Sequence, residues 1–360
     1  MSSRLPFVAL LAIVPVLALA ACGARTGLLA GGSSSGSSSG GSSSGSGSSG
    51  SSSSGAGSSS GSPSCTKPLW LLFNLDDGTS AGSGIYAMRA DGTGGHIVPL
   101  PHAPARNASI SPDGTTLLYT TYMTPDVDGG VDSTLYAYDL AAGTAKAIVT
   151  TTDLTYSALS PDGRTVSYVS GFTLRAIDAD GSNDRALLVG DENAGTAYGH
   201  PVFEPDSRTV VYGTQGAIGS IEADGTNNQT LLEAIPGSFQ YPNPGFSPDY
   251  QQIVVGLICD EGSPYTLSVY PFASLPGASC QSGRVLTTNI TEGASPNSAN
   301  DPSWGTNGLI AYASYPDVFV IDPDGGDGGA GQNVTAGLTG DAGAATASDP
   351  VWLDGCAQVP

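Results

Sequence analysis

The sequence predicts an all-β fold: a six-bladed β-propeller of four-stranded antiparallel blades, with a composite last blade closed by the C-terminal strand. Two observations carry this. An apolar anchor residue recurs six times at a spacing near the length of a propeller blade, and the two ends of the repeat array are complementary halves. The anchor motif occurs as ASISPDG (108–114), SALSPDG (157–163), PVFEPDS (201–207), PGFSPDY (244–250), PSWGTNG (302–308) and PVWLDGC (350–356). Its apolar members Ile110, Leu159, Phe203, Phe246, Trp304 and Trp352 are 49, 44, 43, 58 and 48 residues apart.

Each element of a blade has its own signal. A β-rich run follows each of the first five anchors: LLYTTY, TVSYVS, TVVYGT, IVVGLI and LIAYAS. The sixth run stands at the other end of the array, as Leu69-Trp70-Leu71-Leu72-Phe73. A third strand recurs as IYAMRADG, LYAYDLAAG, LRAIDADG, IGSIEADG, LSVYPF and VFVIDPDG, and four of these end in the Asp-Gly hairpin signal. Short strands such as AIVT and ALLV complete the blades. The last blade takes its first strand from around Trp352 and its other three from residues 68–99, which latches the ring. An open pair of β-sandwiches explains regular strands but not these complementary ends.

Ahead of the array lie two segments of other kinds. Arg4, an apolar stretch from Leu5 to Leu19 and then small residues have the layout of a secretory signal peptide over residues 1–21. Leu19-Ala20-Ala21-Cys22 resembles a lipobox, which implies cleavage before Cys22 and a lipid on its thiol. Gly23 stands where an Asp would signal inner-membrane retention, so the expected location is the bacterial cell envelope, in the outer membrane. After the lipidated N-terminus (22–30), residues 31–64 hold 11 Gly, 21 Ser, one Ala and one Pro, a flexible linker with nothing to bury. Its mean reach is about 30 Å, extendable to about 110 Å. The propeller is expected over 65–360.

The SPDG anchor, a strand and an IYVMDADG-like hairpin together resemble the WD40-like PD40 repeat of TolB-type propellers, and are similar to the propellers attached to prolyl oligopeptidase-type peptidases. The resemblance covers about 290 residues and implies a fold more than an activity. A Ser/Gly tether stands where TolB-type proteins have an α/β domain, and no hydrolase domain follows the repeats. The resemblance therefore implies a scaffold and not a peptidase.

The five cysteines divide accordingly. With Cys22 lipidated, four remain for an oxidising compartment. Cys356 lies four residues after Trp352, as Gly114 does after Ile110, and Cys65 lies just before the strand at Leu69. The composite blade should make them neighbours, so a Cys65–Cys356 disulfide is expected in place of a peptide turn. Cys259 and Cys280 form the second expected pair, which requires the insert ASLPGASCQSG to fold back along its blade.

Composition excludes some partners and leaves others open. With 11 Lys+Arg against 32 Asp+Glu the formal charge is -21, which repels nucleic acid. No cofactor is expected. Zinc is not expected either, since there is no Cys-x-x-Cys and His96, His102 and His200 lie far from the cysteines. Asp126, Asp128 and Asp132, with Gly129 and Gly130 between them, supply part of a calcium loop but lack the distal Glu, and a solvated loop is the simpler account. No G-x-S-x-G marks a nucleophile. His200, opening GHPVFEPD, is placed to face the central channel but reads first as a scaffold residue, as does His102. The repeated aromatics, including Tyr119, Tyr168, Tyr212 and Tyr312, read as packing. Four Asn-x-Ser/Thr sequons (Asn107, Asn228, Asn289, Asn333) are incidental in a bacterial lipoprotein.

The expected protein is thus a non-enzymatic envelope lipoprotein, tethered to the membrane by its lipid, whose rim or channel binds a protein or peptide. The alternatives are an envelope hydrolase or lyase at the channel mouth, and a purely structural surface lipoprotein. Carboxylates converging with a His on the channel would point toward the enzyme.

Overall fold

A computed structural model describes residues 69–78, 83–122, 132–190, 198–233, 242–259, 265–287, 301–325, 331–339 and 345–353. The chain divides into a unit Met1–Ser60, outside the described residues, and a unit Gly61–Pro360 that contains all of them. The latter is a six-bladed propeller, and its strands are antiparallel within every blade.

From the channel outward, blade 1 is Ala105–Ile110, Thr116–Tyr122, Asp132–Asp139 and Thr144–Thr152. Blade 2 is Leu154–Leu159, Thr165–Ser170, Thr173–Asp178 and Arg185–Val189. Blade 3 is Tyr198–Phe203, Thr209–Thr214, Ala217–Glu222 and Gln229–Glu233. Blade 4 is Asn243–Phe246, Gln252–Leu257, Thr266–Pro271 and Arg284–Thr287, and blade 5 is Ser303–Trp304, Ile310–Ser314, Asp317–Ile321 and Gln332–Asn333. Blade 6 is composite, with Thr346–Leu353 innermost and then Trp70–Asp76, Gly84–Arg89 and His96–Ile97. Its seam pairs Trp70 with Leu353, Leu71 with Trp352 and Leu72 with Val351.

The second strands are sandwiched between neighbouring blades and are buried on both faces, so they read as near-continuous apolar runs such as TVSYVS and TVVYGT. Each of the six blade-to-blade interfaces has its own apolar cluster, and each contains one anchor. Ile110 packs between blades 6 and 1, Leu159 between 1 and 2, Phe203 between 2 and 3, Phe246 between 3 and 4, Trp304 between 4 and 5, and Trp352 between 5 and 6. The anchors are therefore the radial core.

The Ser-Pro-Asp-Gly tetrad has a local cause. Ser111 Oγ donates to Asp113 Oδ1 (2.6 Å) and accepts from the Thr116 N–H (2.9 Å), while Asp113 also accepts from the Thr115 N–H (3.1 Å). Gly114 closes the turn at φ 71°. The same network recurs around Ser160 and Asp162 and around Ser247 and Asp249.

The Asp-Gly hairpins differ from the two-residue turn that the dipeptide predicts. In blade 2 the Gly181 N–H donates to the Asp178 carbonyl and the Asp178 N–H to the Ser182 carbonyl, and of Ala179, Asp180 and Gly181 only the glycine has positive φ. This is a type I turn followed by a glycine bulge, with Asp180 accepting from the Ser182 N–H (2.9 Å). The long insert of blade 4 crosses to blade 3, where Ala278–Ser279 adds a short parallel strand against Leu232–Glu233. There Cys280 is joined to Cys259 by a disulfide.

Candidate functional site

The innermost strands carry a second periodic position, three residues before each anchor: Asn107, Tyr156, His200, Asn243, Asp301 and Asp349. All but Asn243 line one central cavity of about 390 Å³, whose walls run on to the Ser-Pro turns of blades 1 and 4. Bulges do the aiming in several blades. The inner-strand register slips between Arg106 and Ser109, between Leu154 and Ser157, between Gly199 and Val202, and opposite Leu72 and Asn74 at the seam. At three of these slips Asn107 (φ 54°), His200 (φ 30°) and Asp349 (φ 50°) adopt the left-handed region. His200 and Asp349 each precede a proline, where extended backbone is the norm, so local strain of order 1–3 kcal/mol each is held at the channel.

Across the channel His200, Asp301 and Asp349 converge. Each offers one ligand atom, and the three atoms lie within 4.8 Å of one another. His200 Nε2 is 2.7 Å from Asp301 Oδ1, but the two are not aligned as a hydrogen bond. The Asp301 side chain is only 3% exposed and that of His200 20%. Asn243 Nδ2 donates to Asp301 Oδ1 (2.5 Å), and Asn74 Nδ2 donates to Asp349 Oδ2. Asn74 is steadied in turn by Asn107, whose backbone N–H donates to Asn74 Oδ1 (2.9 Å). Ser348 Oγ donates to Asp349 Oδ2 (3.1 Å), and the Tyr156 ring lies 3.6 Å from the His200 ring.

Burial governs the protonation of this group. It pushes the Asp301 carboxyl up to about 6, against the lowering effects of the adjoining Asp349 carboxyl group and of the hydrogen bond that Asn243 donates. Burial, and then the neighbouring Asp301 charge, raise Asp349 well above the ordinary carboxylate range. Burial lowers His200 to about 4, with the Asp349 charge opposing it, so the imidazole is neutral at pH 7. Two carboxyls this close share a proton when no cation is present.

The residues singled out in the sequence fall elsewhere, apart from His200 and Asn107. Cys22, Cys65, Cys356, Asp126 and Asp128 lie outside the described residues. Asp132 opens the third strand of blade 1 opposite Thr152, away from the channel lining. His102 stacks on Tyr136 (4.2 Å between ring centres) and His96 meets the edge of Trp70 (5.6 Å), both in packing roles. Asp301, Asp349, Asn243 and Asn74 were not anticipated. For Asn243, Asp301 and Asp349 a signal was within reach, since a polar residue directly precedes the proline of the anchor motif in blades 3 to 6; Asn74, inside an apolar run, has none.

Six blades, a composite closing blade and anchor-centred interfaces define a closed six-bladed β-propeller, here with a polar ring in its channel. The chain is similar in structure to TolB from Acinetobacter baumannii (TM-score 0.57, 15% identity), over 79% of this chain and 66%, just under two thirds, of that one. It is also similar to a chain in the nidogen/laminin complex (TM-score 0.52, 14% identity), over 79% of this chain and 98% of that one. Periplasmic gluconolactonase from Pseudomonas aeruginosa aligns over 81% of this chain and 99% of its own at a TM-score of 0.48 and 16% identity. At such identities the likeness shows the fold alone. No family model and no curated protein sequence matches the chain.

Proposed function

We propose that this protein is a bacterial cell-envelope lipoprotein, held in the outer membrane through a lipid on Cys22, whose propeller is a binding scaffold and not an enzyme. It takes a segment of a protein or peptide partner into the central channel. The observation that carries this reading is the polar ring: equivalent positions of five of the six blades bring amide, phenol, imidazole and carboxyl groups to one cavity of about 390 Å³, a size suited to a side chain or chain end. Among the described residues no Lys or Arg forms an ion pair with Asp301 or Asp349, and the chain carries a formal charge of -21. Both features suit a basic segment. The Ser/Gly linker gives the propeller room to meet a partner above the membrane.

The test places a photo-crosslinking amino acid at Tyr156 in the lipidated protein and irradiates it in its own membrane. The expected product is one crosslinked species of defined mass, lost on Asp301→Asn with Asp349→Asn and displaced when Cys22→Ala releases the protein from the membrane. Crosslinking confined to outer-strand positions such as Val189 would refute the channel as the binding site.

One observation favours a second reading, an envelope hydrolase or lyase: two carboxyls sharing a proton beside a neutral imidazole form an acid/base set. Turnover of a glycan or peptide substrate that Asp301→Asn abolishes without loss of folding would replace the scaffold reading with this one.

A further inference from the structure

We infer that His200, Asp301 and Asp349 form a binding site for a divalent transition-metal ion, of the zinc or manganese kind, at the centre of the propeller. Three features of the geometry carry this. The three ligand atoms lie within 4.8 Å of one another, so displacements of about an ångström bring them to the roughly 2.0–2.2 Å at which imidazole and carboxylate hold Zn²⁺. Asp301 is 4% exposed, and its Oδ2 is buried without a hydrogen-bond partner. His200 Nε2 also lacks a hydrogen-bond partner while facing Asp301 Oδ1 at 2.7 Å. Two lone-pair atoms turned toward each other with no proton aligned between them are arranged for a cation.

The surroundings agree. Metal-bound carboxylates are usually oriented by further hydrogen bonds, and here Asn243 holds Asp301 while Asn74 holds Asp349. Two carboxylates match a 2+ charge, and the three protein ligands leave coordination positions open toward the cavity for water or a ligand. A nitrogen ligand beside two carboxylates selects Zn²⁺ or Mn²⁺ over Ca²⁺ or Mg²⁺, which prefer oxygen alone. The three ligands come from blades 3, 5 and 6, Asp301 from just before its strand, so a bound ion would also link blade 3 to blades 5 and 6 across the channel. This assignment does not rest on the partner reading. Ion binding is read on the purified protein without any partner, so the two stand or fall separately.

The experiment uses the mature full-length protein in detergent, stripped with chelator and dialysed against ZnCl₂, MnCl₂ or CaCl₂ in turn. Bound metal is measured by mass spectrometry. The expected result is about one Zn²⁺ or Mn²⁺ per chain, falling at least tenfold in Asp301→Asn with Asp349→Asn and in His200→Gln. A measurement on unmodified protein guards against variants that fail to fold: diethylpyrocarbonate labelling of the three histidines, mapped by peptide, should show His200 protected by Zn²⁺ and His96 and His102 unaffected. Uptake of less than a tenth of an ion, uptake unchanged in the substituted proteins, binding of Ca²⁺ alone, or no protection of His200 would each overturn the assignment.

Discussion

Trp352→Ala is the perturbation that most directly tests how the ring is closed. Trp352 is 7% exposed, packs between blades 5 and 6, and lies on Thr346–Leu353, which among the described residues is the one strand that joins its blade from the far end of the array. Its indole N–H donates to the Ser303 carbonyl (3.1 Å) and its backbone N–H to Ser303 Oγ (3.3 Å), so it ties the composite blade to the one before it. Truncating a buried tryptophan costs about 3–5 kcal/mol, and the Ser303 carbonyl left without its donor adds to that. In a domain of this size each kcal/mol lowers Tm by roughly 2–4 °C, so a drop of about 6–20 °C is expected by calorimetry. The comparison is Phe203→Ala, an anchor 4% exposed within an uninterrupted blade. Both variants are made on Cys356→Ser, so that the expected Cys65–Cys356 disulfide, which lies outside the described residues, does not bear on the comparison. Global destabilisation should be similar, but only Trp352→Ala should speed amide exchange selectively in Trp70–Asp76 and Thr346–Leu353, the two strands of the seam. A Tm loss under about 2 °C, or the same exchange pattern in both variants, would refute the argument that the ring closes through this strand.

Three further predictions follow from local structure. Replacing Cys259 and Cys280 together by Ser opens a loop with a sequence separation of 21, for which the chain-entropy estimate is about 3 kcal/mol; calorimetry should show the loss, and a change under about 1 kcal/mol would mean that packing of Leu275 and Ala278 holds the insert unaided. In the Ser-Pro-Asp turns, the Ser160 hydroxyl lowers Asp162 and the Ser247 hydroxyl lowers Asp249, while at Asp113 burial pushes upward and is outweighed by hydrogen bonds from Ser111 and Thr115. Because the folded values lie below the ordinary 3.8, their stabilisation is complete above that pH and is lost as pH falls through the lowered values. Asp113→Asn with Asp162→Asn should therefore flatten the fall of Tm below about pH 4, and an unchanged slope would count against these turns as the acid-sensitive elements. Gly245→Ala places a Cβ 2.4 Å from the Pro302 carbonyl oxygen, just before the inner strand of the neighbouring blade, so it should cost about 1–3 kcal/mol by overpacking; unaltered urea unfolding would show that the inner strands can spread.

The propeller was legible because its strongest signals are local and repeated. Ser111, Ser160 and Ser247 each build the same turn from residues at most five positions away, and each anchor fills an equivalent interface, so a pattern in one blade is checked by the others. The composite blade was legible for the same reason, as a missing half at each end. Turn type was not, because Asp-Gly fits both a two-residue turn and a type I turn with a glycine bulge, and the choice depends on strand register beyond the dipeptide. The channel group was the least legible. His200 and Asp349 are 149 positions apart in sequence, and only closure of the ring brings them to one place. Its members also vary in identity, as Asn, Tyr, His, Asn, Asp and Asp, so the repeat that exposes the anchors conceals the ring.

That contrast has a physical basis. An anchor sits between two blades, where a polar residue would lose a buried apolar contact at an interface that each of the six copies needs. The position three residues earlier meets neighbouring blades through polar and ring contacts such as Asn243 to Asp301 and Tyr156 to His200, and of its occupants only Tyr156 packs against an apolar cluster, so its side chain can change without emptying an apolar interface. Six nearly equivalent positions around one axis thus become an adjustable ring on a constant scaffold. Here the adjustment is costly, because it buries two carboxyls together and holds His200 and Asp349 at positive φ ahead of prolines. Neither cost serves packing, and Asn at positions 301 and 349, as already stands at 107 and 243, would remove the first. A group assembled against local stability, in a fold whose six interfaces can offset the loss, is what the proposed binding role of the channel would require, and His200→Gln with Asp301→Asn and Asp349→Asn should leave Tm unchanged or raised if that role, and not ring closure, is its purpose.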